Sequence, residues 1–595
     1  MITLADFQSY LSHKTPLKQP LSTYLEGQEQ QLLKWAASLP AQTEDQQAVQ
    51  LERVLTELTA INLDDKLRLK LLDIAICAAD RLITSLHKYY RYELGALNKE
   101  QLSYIDQVKS LYYLTILAYD GVIQRESSNL QQHLMSGRDW RQLLTLAKKP
   151  PIILATAIYQ SLALYQKLLY EQDISYQQPP AHLWQAFNQL YHLACQFAIA
   201  HIDLSSHVVT KQAHSIHQLY VQICLHSLLN VRAMRRANIL LIQRLLPLWS
   251  THIHATTEPQ TQTRIYVDLL SDNPPDYLTA KSTINPYEEH CLCLFIELEP
   301  LVACLHQRKQ ALFISNNEAV EYQLVNSVLM AIGHRYIERQ TTTSIKHSAK
   351  KRATVISGFN NMHYKVAGSR GLMSMIAAQT LPPEQLPHYD TSPKNGSKIT
   401  VLNVEAFDTV TSVSPFGLLR LLTTEDLIRQ QAAIEEKAKT PQAHIDKTLT
   451  FDSTNFNSTN FDSTNTAPPP LPLMSLLLLC RQPDNGEPTW SIGIVRWVNF
   501  EDRYTEAEWQ ILGHKLTACA LRLDSRDHRS QNFVPAFMIA SDKELHTEFT
   551  IMVPPYHFQA NDKVILRIDD KQKTLRLQDC LMSSAEFSQY KVLQI

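Results

Sequence analysis

Glycine is scarce in this chain, with only 13 glycines among 595 residues. Loops that cradle nucleotide phosphates need closely spaced glycines, and the chain has neither a GxxxxGK[ST] motif nor a GxGxxG motif after a strand. The GxSxG, HExxH and HxxEH patterns of hydrolases and zinc proteases are missing as well. These absences argue against nucleotide hydrolysis and hydride transfer, and we predict that the protein is not an enzyme.

Long uninterrupted apolar runs and an excess of one charge are also lacking. The first residues, MITLADFQSYLSHK, carry polar and charged side chains where a secretory signal would be apolar. Lysine and arginine (56) nearly balance aspartate and glutamate (58), so no overall field attracts nucleic acid or an anionic membrane. The sequence therefore predicts a cytoplasmic protein with no transmembrane segment and no stably bound nucleic acid.

Candidate metal ligands do not form a convincing set. The nine cysteines include no CxxC pair, and the tightest pair, Cys291 and Cys293, lies in an apolar run typical of a strand. Among 23 histidines, His207, His214 and His217 come closest to a cluster, but no nearby carboxylate or cysteine set completes a site. We expect no metal and no cofactor.

The N-terminal part of the chain has the pattern of packed amphipathic helices. From about residue 21 to 248 the apolar residues recur every three or four positions with almost no glycine. Asp64 or Asp65 is a plausible cap for a helix that buries the stripe from Leu67 to Leu86. Further helices are predicted over 28–39, 45–61, 102–123, 151–171, 181–200, 212–229 and 236–250. Residues 1–255 are therefore predicted to be an all-helical interaction region.

Four further segments are predicted after this region. Residues 256–316 form a small mixed α/β connector, because TRIYVDLL and CLCLFIEL are β-rich, and 317–345 hold a linker helix and a basic entry segment. A β-barrel is expected over 346–530, with a low-complexity insertion at 435–471 where FDSTN, FNSTN and FDSTN repeat in tandem. Residues 531–595 are expected to be a β-rich extension.

Two motifs lie in the predicted barrel. TSVSPFGLLRL, around Ser412, reads as a strand end, a tight turn and a second apolar strand. TWSIGIVRWVNF (489–500) alternates as a strand does, and we expect a helical or loop excursion before LGHKLTACALRL (512–523). Together these runs favour a small antiparallel barrel.

In these motifs the chain resembles the PilZ family, whose barrel has an arginine-rich entry segment, a [D/N]xSxxG turn and a GxVRW-like strand leading into an IGV-like strand. SVSPFG (412–417) is similar to the turn motif, GIVRW (493–497) to the strand, and 512–516 takes the place of the IGV-like strand. Upstream, HLWQAFNQLYHLA, LYVQICLHSLLN and RIYVDLLSDNPP are similar to segments of large PilZ proteins with helical N-terminal regions. The resemblance implies a multi-domain α+β protein with an all-α helical N-terminal region, a small mixed connector and a C-terminal PilZ-like antiparallel β-barrel.

The resemblance also implies a ligand, cyclic di-GMP, and an output on surface behaviour such as type IV pilus twitching, exerted through protein partners of the pilus or motility machinery. Recruitment to the cell pole belongs to the same expectation. Arginine suits this dianionic ligand, because a guanidinium clamps phosphate and stacks on purines. The ligand-binding residues implied are Arg335, Arg339, Lys346, Lys350, Lys351, Arg352, Ser412, Ser414 and Gly417.

Departures from the family motif leave two alternatives open. The RxxxR spacing occurs at Arg335 and Arg339, while the run nearer the first strand, KHSAKKR (346–352), is mostly lysine, and Ser412 replaces an acidic or amide residue. Either the clamp has moved to Arg335 and Arg339, or ligand binding is weakened or lost. In the second case the protein is a ligand-independent helical scaffold with a degenerate barrel. A nucleic-acid binder using residues 346–352 is a third alternative, which the balanced charge does not favour.

Overall fold

A computed structural model describes most of the chain and divides it into two compact units. The units are Met1–Cys304, with the short stretch Thr466–Pro468, and Leu305–Ile595 without that stretch. The described residues are 1–13, 29–61, 63–136, 151–180, 182–208, 212–258, 263–278, 282, 284–288, 291–315, 319–337, 351–393, 399–407, 416–422, 426, 467–481, 489–500, 504–524, 531–543 and 545–594.

Helices make up most of the first unit. Those described before residue 251 are α1 (Leu4–His13), α2 (Glu29–Ser38), α3 (Glu44–Ala60), α4 (Asp65–Leu86), α5 (Lys99–Ser136), α6 (Ile152–Ile174), α7 (His182–Gln196), α8 (Ile216–Leu228) and α9 (Arg236–Ser250). The start of α4 follows the sequence prediction, because Asp64 Oδ2 accepts a hydrogen bond from the Leu67 amide at 3.3 Å. The predicted helices are thus confirmed with small shifts at their ends, except that α5 runs to Ser136 instead of ending at residue 123.

Helix α6 is both long and strongly apolar. Within the described residues it is the one helix long and apolar enough to cross a membrane, and 83% of its most apolar window is buried inside the fold. Leu154, Ile158 and Leu162 are all fully buried. A helix that is surrounded by other helices needs no polar face, which accounts for its composition.

A four-stranded antiparallel sheet follows the helices in the first unit. Its strands are β1 (His254–Thr256), β2 (Ile265–Asp268), β3 (Asp276–Tyr277) and β4 (Cys293–Glu297), in the order β1-β4-β2-β3. The side-chain amide of Asn188 in α7 donates to the carbonyl oxygens of Asp268, Ser271 and Asn273. This amide fixes the turn after β2 against the helices.

A helical hairpin leads to the second unit's barrels. It consists of α10 (Glu299–Ser315) and α11 (Ala319–Ile332), and α11 continues as a π-helical turn over Gly333–Ile337. Arg308 and Glu321 form a bidentate ion pair across the hairpin, with N–O distances of 2.7 and 2.8 Å. The predicted linker helix is present, and its last described turn carries Arg335.

The first barrel is closed and antiparallel. Its strands are β5 (Lys351–Ser357), β6 (Val401–Phe407), β7 (Phe416–Leu421), β8 (Leu476–Arg481), β9 (Thr489–Phe500) and β10 (Thr505–Gly513), in the order β10-β7-β6-β5-β8-β9. Along the chain, helices α12 (Phe359–Val366) and α13 (Leu372–Met375) connect β5 to β6. Its inner positions are mostly apolar, so the barrel interior is a packed core.

A second closed barrel follows almost immediately. It is formed by β11 (Leu516–Leu523), β12 (Val534–Ile539), β13 (Thr550–Val553), β14 (Lys563–Ile568), β15 (Lys571–Ser583) and β16 (Ser588–Gln594), in the order β11-β12-β13-β16-β15-β14. Its core includes Leu521, Ile551, Val564 and Leu577. The fold class predicted from the sequence, a helical N-terminal region followed by sheets and a closed antiparallel barrel, is confirmed.

Three details of the predicted barrel are corrected. The expected excursion after β9 is strand β10, in which Glu506 and Glu508 alternate with Ala507, Trp509 and Ile511. The expected IGV-like strand at 512–516 is the junction of two strands, because β10 ends at Gly513 and β11 begins at Leu516. The barrel does not run to residue 530 and 531–595 is not an extension, since β11 pairs with β12 and β14 to close a separate barrel.

Candidate ligand-binding site

A row of polar residues, four of them charged, crosses five strands of the first barrel. Residues that stand opposite each other in antiparallel strands share a face of the sheet. The register pairs Arg352 with Glu405, Glu405 with Arg420, Arg420 with Glu506, and Glu506 with Asn499. Their apolar neighbours along each strand occupy the interior. We call this outer surface, together with Arg335, Trp497, Tyr504 and Glu508, the arginine face.

Arg335 reaches the arginine face from the turn that follows α11. Its guanidinium carbon lies 5.4 Å from the centroid of the Trp497 ring, and Nη1 lies 3.9 Å from Glu508 Oε1. Its side chain is 27% exposed. A planar guanidinium over an indole, held by a long ion pair, retains donors that can bind an anion.

Trp497 is the last residue of the GIVRW motif and is buried, as expected for a core residue. Its indole Nε1 donates to Asn499 Oδ1 at 2.8 Å, which fixes the orientation of the ring. Arg335 packs on this ring. The tryptophan therefore contributes both to packing and to positioning the arginine.

His334 attaches the end of the linker helix to the barrel. Its Nε2 shares a hydrogen bond of 2.7 Å with Glu508 Oε2, and the histidine side chain is 3% exposed. Its ring centroid lies 5.2 Å from that of Phe416, the first residue of β7. The helix end that carries Arg335 is thus anchored beside the strand that follows the 412–417 motif.

Arg420 was not singled out by the sequence analysis. Its Nε and Nη2 donate to Glu506 Oε1 at 3.1 and 2.7 Å. Its guanidinium carbon lies 4.2 Å from the Tyr504 ring centroid and 5.4 Å from that of Phe407. In the sequence, Arg420 could have been recognised as the one charged residue in the apolar strand that immediately follows the turn motif.

The remaining predicted residues divide into two groups. Arg352 is exposed on β5 and shares the arginine face with Arg420. Arg339, Lys346, Lys350, Ser412 and Ser414 lie outside the described residues, as does the side chain of Lys351. Of the predicted set, Arg335 and Arg352 are the two whose side chains can be placed on this face.

Gly417 has a packing role in the barrel. A Cβ atom at this position would lie 2.5 Å from Nε1 of the buried Trp509 indole. A Cβ at Gly493, in the GIVRW motif, would lie 2.5 Å from Trp509 Cε3 and would also meet the Gln510 carbonyl oxygen. Both motif glycines therefore make room for one tryptophan.

The other candidates from the sequence are not part of this face. His217 is hydrogen-bonded to the Tyr191 hydroxyl at 2.7 Å, and burial, reinforced by His201 and His254, lowers its pKa to about 4. Within the described ranges, no three histidine, cysteine or acidic side chains are grouped as metal ligands. Two open clefts of about 410 and 380 Å³ occur in the second unit, and neither is lined by a predicted ligand-binding residue.

Comparison with known families gives two matches. Residues 30–260 match a family model described as the N-terminal domain of the cyclic-di-GMP receptor FimW. Residues 519–594 match the FimW C-terminal β-barrel domain, which corresponds to the second barrel. The first barrel lies between the matched ranges. No curated protein and no solved structure matches the chain.

Proposed function

Because this chain belongs to the FimW family of cyclic-di-GMP receptors, whose N-terminal and C-terminal domains together match about half of its length, we propose that it binds cyclic di-GMP on the arginine face of its first barrel. The observation that carries this proposal is the position of Arg335 on Trp497. Its long ion pair with Glu508 leaves hydrogen-bond donors for a phosphate. The guanidinium plane can also stack on a guanine.

The proposal includes the type of the first barrel, which we infer to be a PilZ barrel. Support comes from the positions of the two motif segments. GIVRW lies in β9, the end of the SVSPFG segment lies in β7, and both strands pair with β10. Arg335 precedes the barrel in sequence and packs on the tryptophan of the GIVRW motif, as an entry-segment arginine in such a barrel should.

We also propose how binding is transmitted. His334 and Arg335 are adjacent in the turn after α11, and one is anchored on Glu508 while the other is exposed to ligand. A ligand that pulls Arg335 from Glu508 therefore acts directly on the end of the linker helix. The output we propose is regulation of type IV pilus motility through protein partners in the cytoplasm, including recruitment to the cell pole.

Calorimetric titration of the full chain with cyclic di-GMP tests the proposal. Arg335→Ala should weaken binding about tenfold or more, because charge-assisted hydrogen bonds contribute roughly 1.5–3 kcal/mol each. Arg308→Ala is the matched control, since it removes an arginine from an ion pair with Glu321 elsewhere in the same unit. Equal loss of affinity in both variants would contradict a site at Arg335.

A ligand-independent scaffold is the second candidate function. It is favoured by one observation, that Arg335 and Arg420 each already have a carboxylate partner, Glu508 and Glu506. If the wild-type chain does not bind cyclic di-GMP at high micromolar concentration, the receptor proposal is wrong and the scaffold replaces it. That the protein is not an enzyme stays a prediction.

A further inference from the structure

The arginine face contains two similar groups of side chains next to each other. Each consists of an arginine, an aromatic ring beneath its guanidinium and a carboxylate of β10: Arg335 with Trp497 and Glu508, and Arg420 with Tyr504 and Glu506. The two carboxylates are two residues apart on the same face of one strand, which separates their backbones by about 7 Å. The two groups of side chains are therefore adjacent.

We propose that Arg420, supported by Tyr504, is the second arginine of the ligand site. The inference rests on the proposed function and extends it to a residue beyond the family motif. Cyclic di-GMP contains two guanine bases and two phosphates, so a single guanidinium can bind only part of it. Two adjacent guanidinium–aromatic pairs match a ligand with two equivalent halves.

The surroundings of Arg420 leave part of its guanidinium accessible. The Nε and Nη2 atoms are held by Glu506, and the side chain is 32% exposed. Within the residues that the structure describes, Nη1 makes no hydrogen bond. Stacking on Tyr504 and the bond to Glu506 fix the plane of the group before ligand arrives, which lowers the entropic cost of binding.

Arg420 also lies between Arg335 and Arg352, which belong to the two basic segments predicted to bind the ligand. On one side, Glu405 separates it from Arg352 of β5 in the register. On the other side, β10 brings Glu508 and Arg335 next to it. Arg420 lies between the arginines that the sequence motifs identified, so a ligand spanning them passes over it.

A simple surface ion pair is the competing explanation. Arg308 and Glu321 form an ion pair of this kind between α10 and α11. Exposed pairs of this kind need no functional reason. Arg308→Ala is therefore a control for the loss of one arginine and one ion pair.

Titration calorimetry of the full chain with cyclic di-GMP distinguishes the two explanations. Arg420→Ala should weaken binding at least tenfold, and Arg420→Lys should fail to restore it, because an ammonium group lacks the planar stacking surface. Tyr504→Leu should weaken binding several-fold, Tyr504→Phe should bind more tightly than Tyr504→Leu because it keeps the aromatic ring, and Arg308→Ala should bind like wild type. If Arg420→Ala unfolds, Arg420→Lys retains the positive charge and decides the question.

The outcomes separate this inference from the proposed function. Wild-type affinity in both Arg420 variants, with weak binding by Arg335→Ala, would overturn the role of Arg420 and leave the receptor proposal standing. Failure of the wild-type chain to bind would overturn both. Loss of binding in Arg420→Lys and Arg335→Ala, with normal binding by Arg308→Ala, would support the two-arginine site.

Discussion

Trp509 is the largest fully buried side chain of the first barrel, and two glycines of the sequence motifs face it. Gly493→Ala would place a methyl group against both the indole and the Gln510 backbone. Because backbone cannot move aside cheaply, we expect a loss of about 1–3 kcal/mol in the free energy of unfolding. Thermal or denaturant unfolding of the full chain measures it.

Gly333→Ala is the matched control for this substitution. It lies in the π-helical turn of the same unit, and no atom lies within 4 Å of its added Cβ. Alanine there should leave stability unchanged or raise it by up to about 1 kcal/mol. Equal destabilisation by both substitutions would contradict the packing role assigned to Gly493.

Single residues also show how far the sequence could identify the site. Arg335 and Arg352 were found because they stand in basic segments before a recognisable strand, and the structure places both on one face. Arg420 was missed because the turn motif ends at Gly417, and the face of β7 on which Arg420 lies depends on pairing with β6 and β10. Gly417 was assigned to the ligand site because it ends the turn motif, and its packing against Trp509 was not visible in the sequence because the two residues are far apart in the chain.

Elements with a strong local period were predicted well, whereas strand β10 was missed. The helices before residue 251 follow a 3.6-residue apolar period, and β9 alternates clearly. Strand β10 also alternates, but its alternating residues are glutamates and an alanine, which favour helices locally. Its pairing with β7 and β9 overrides that local preference.

Helix α12 provides a prediction at the level of one element. Its residue His363 is fully buried, shares a hydrogen bond of 3.0 Å with the Cys519 carbonyl oxygen of β11, and packs on Phe537 of β12. Burial lowers its pKa from 6.5 to about 4, against smaller raising effects of the Cys519 carbonyl and Asp390. The folded unit therefore holds this histidine neutral, with Nε2 donating.

The sign of the pH dependence follows from that lowered pKa. The unfolded chain binds the proton near pH 6.5 and the folded chain only near pH 4, so the contribution to stability is complete above 6.5 and is lost as pH falls towards 4. The upper limit of the loss is on the order of 3 kcal/mol. Denaturant unfolding at a series of pH values measures it.

His363→Gln tests whether this residue is responsible. Glutamine keeps a donor for the Cys519 carbonyl but does not titrate, so the variant should lose less stability than wild type between pH 6.5 and 4. His306→Gln, at an exposed position of α10, should behave like wild type. An unchanged acid dependence in His363→Gln would show that other groups cause it.

Closure of the barrels is a property of the whole molecule that local patterns do not encode. In the second barrel, β11 pairs with β14 about forty residues later in the chain, and β13 pairs with β16. Residues 512–523 look like one apolar run, yet their two halves belong to different barrels because Gly513 and Leu516 pair with different strands. Only the complete pairing shows that two barrels exist.

The division into two compact units leads to a prediction for unfolding of the whole chain. Each unit has its own hydrophobic core, one around α6, α7 and α8 and the other within the barrels. We expect two transitions in a thermal scan, because units with separate cores can unfold separately. Differential scanning calorimetry of the full chain resolves them.

Two variants assign the transitions to the units. Phe187 is fully buried in α7 against Tyr165 and Trp184, so Phe187→Ala should lower the stability of the first unit by about 3–5 kcal/mol. Gly493→Ala should shift the other transition, since Gly493 lies in the first barrel. If either variant shifts both transitions equally, or if one cooperative transition is seen throughout, the units do not unfold independently. Separate shifts would allow the effect of cyclic di-GMP to be assigned, because a ligand bound to the first barrel should raise only the transition that Gly493→Ala lowers.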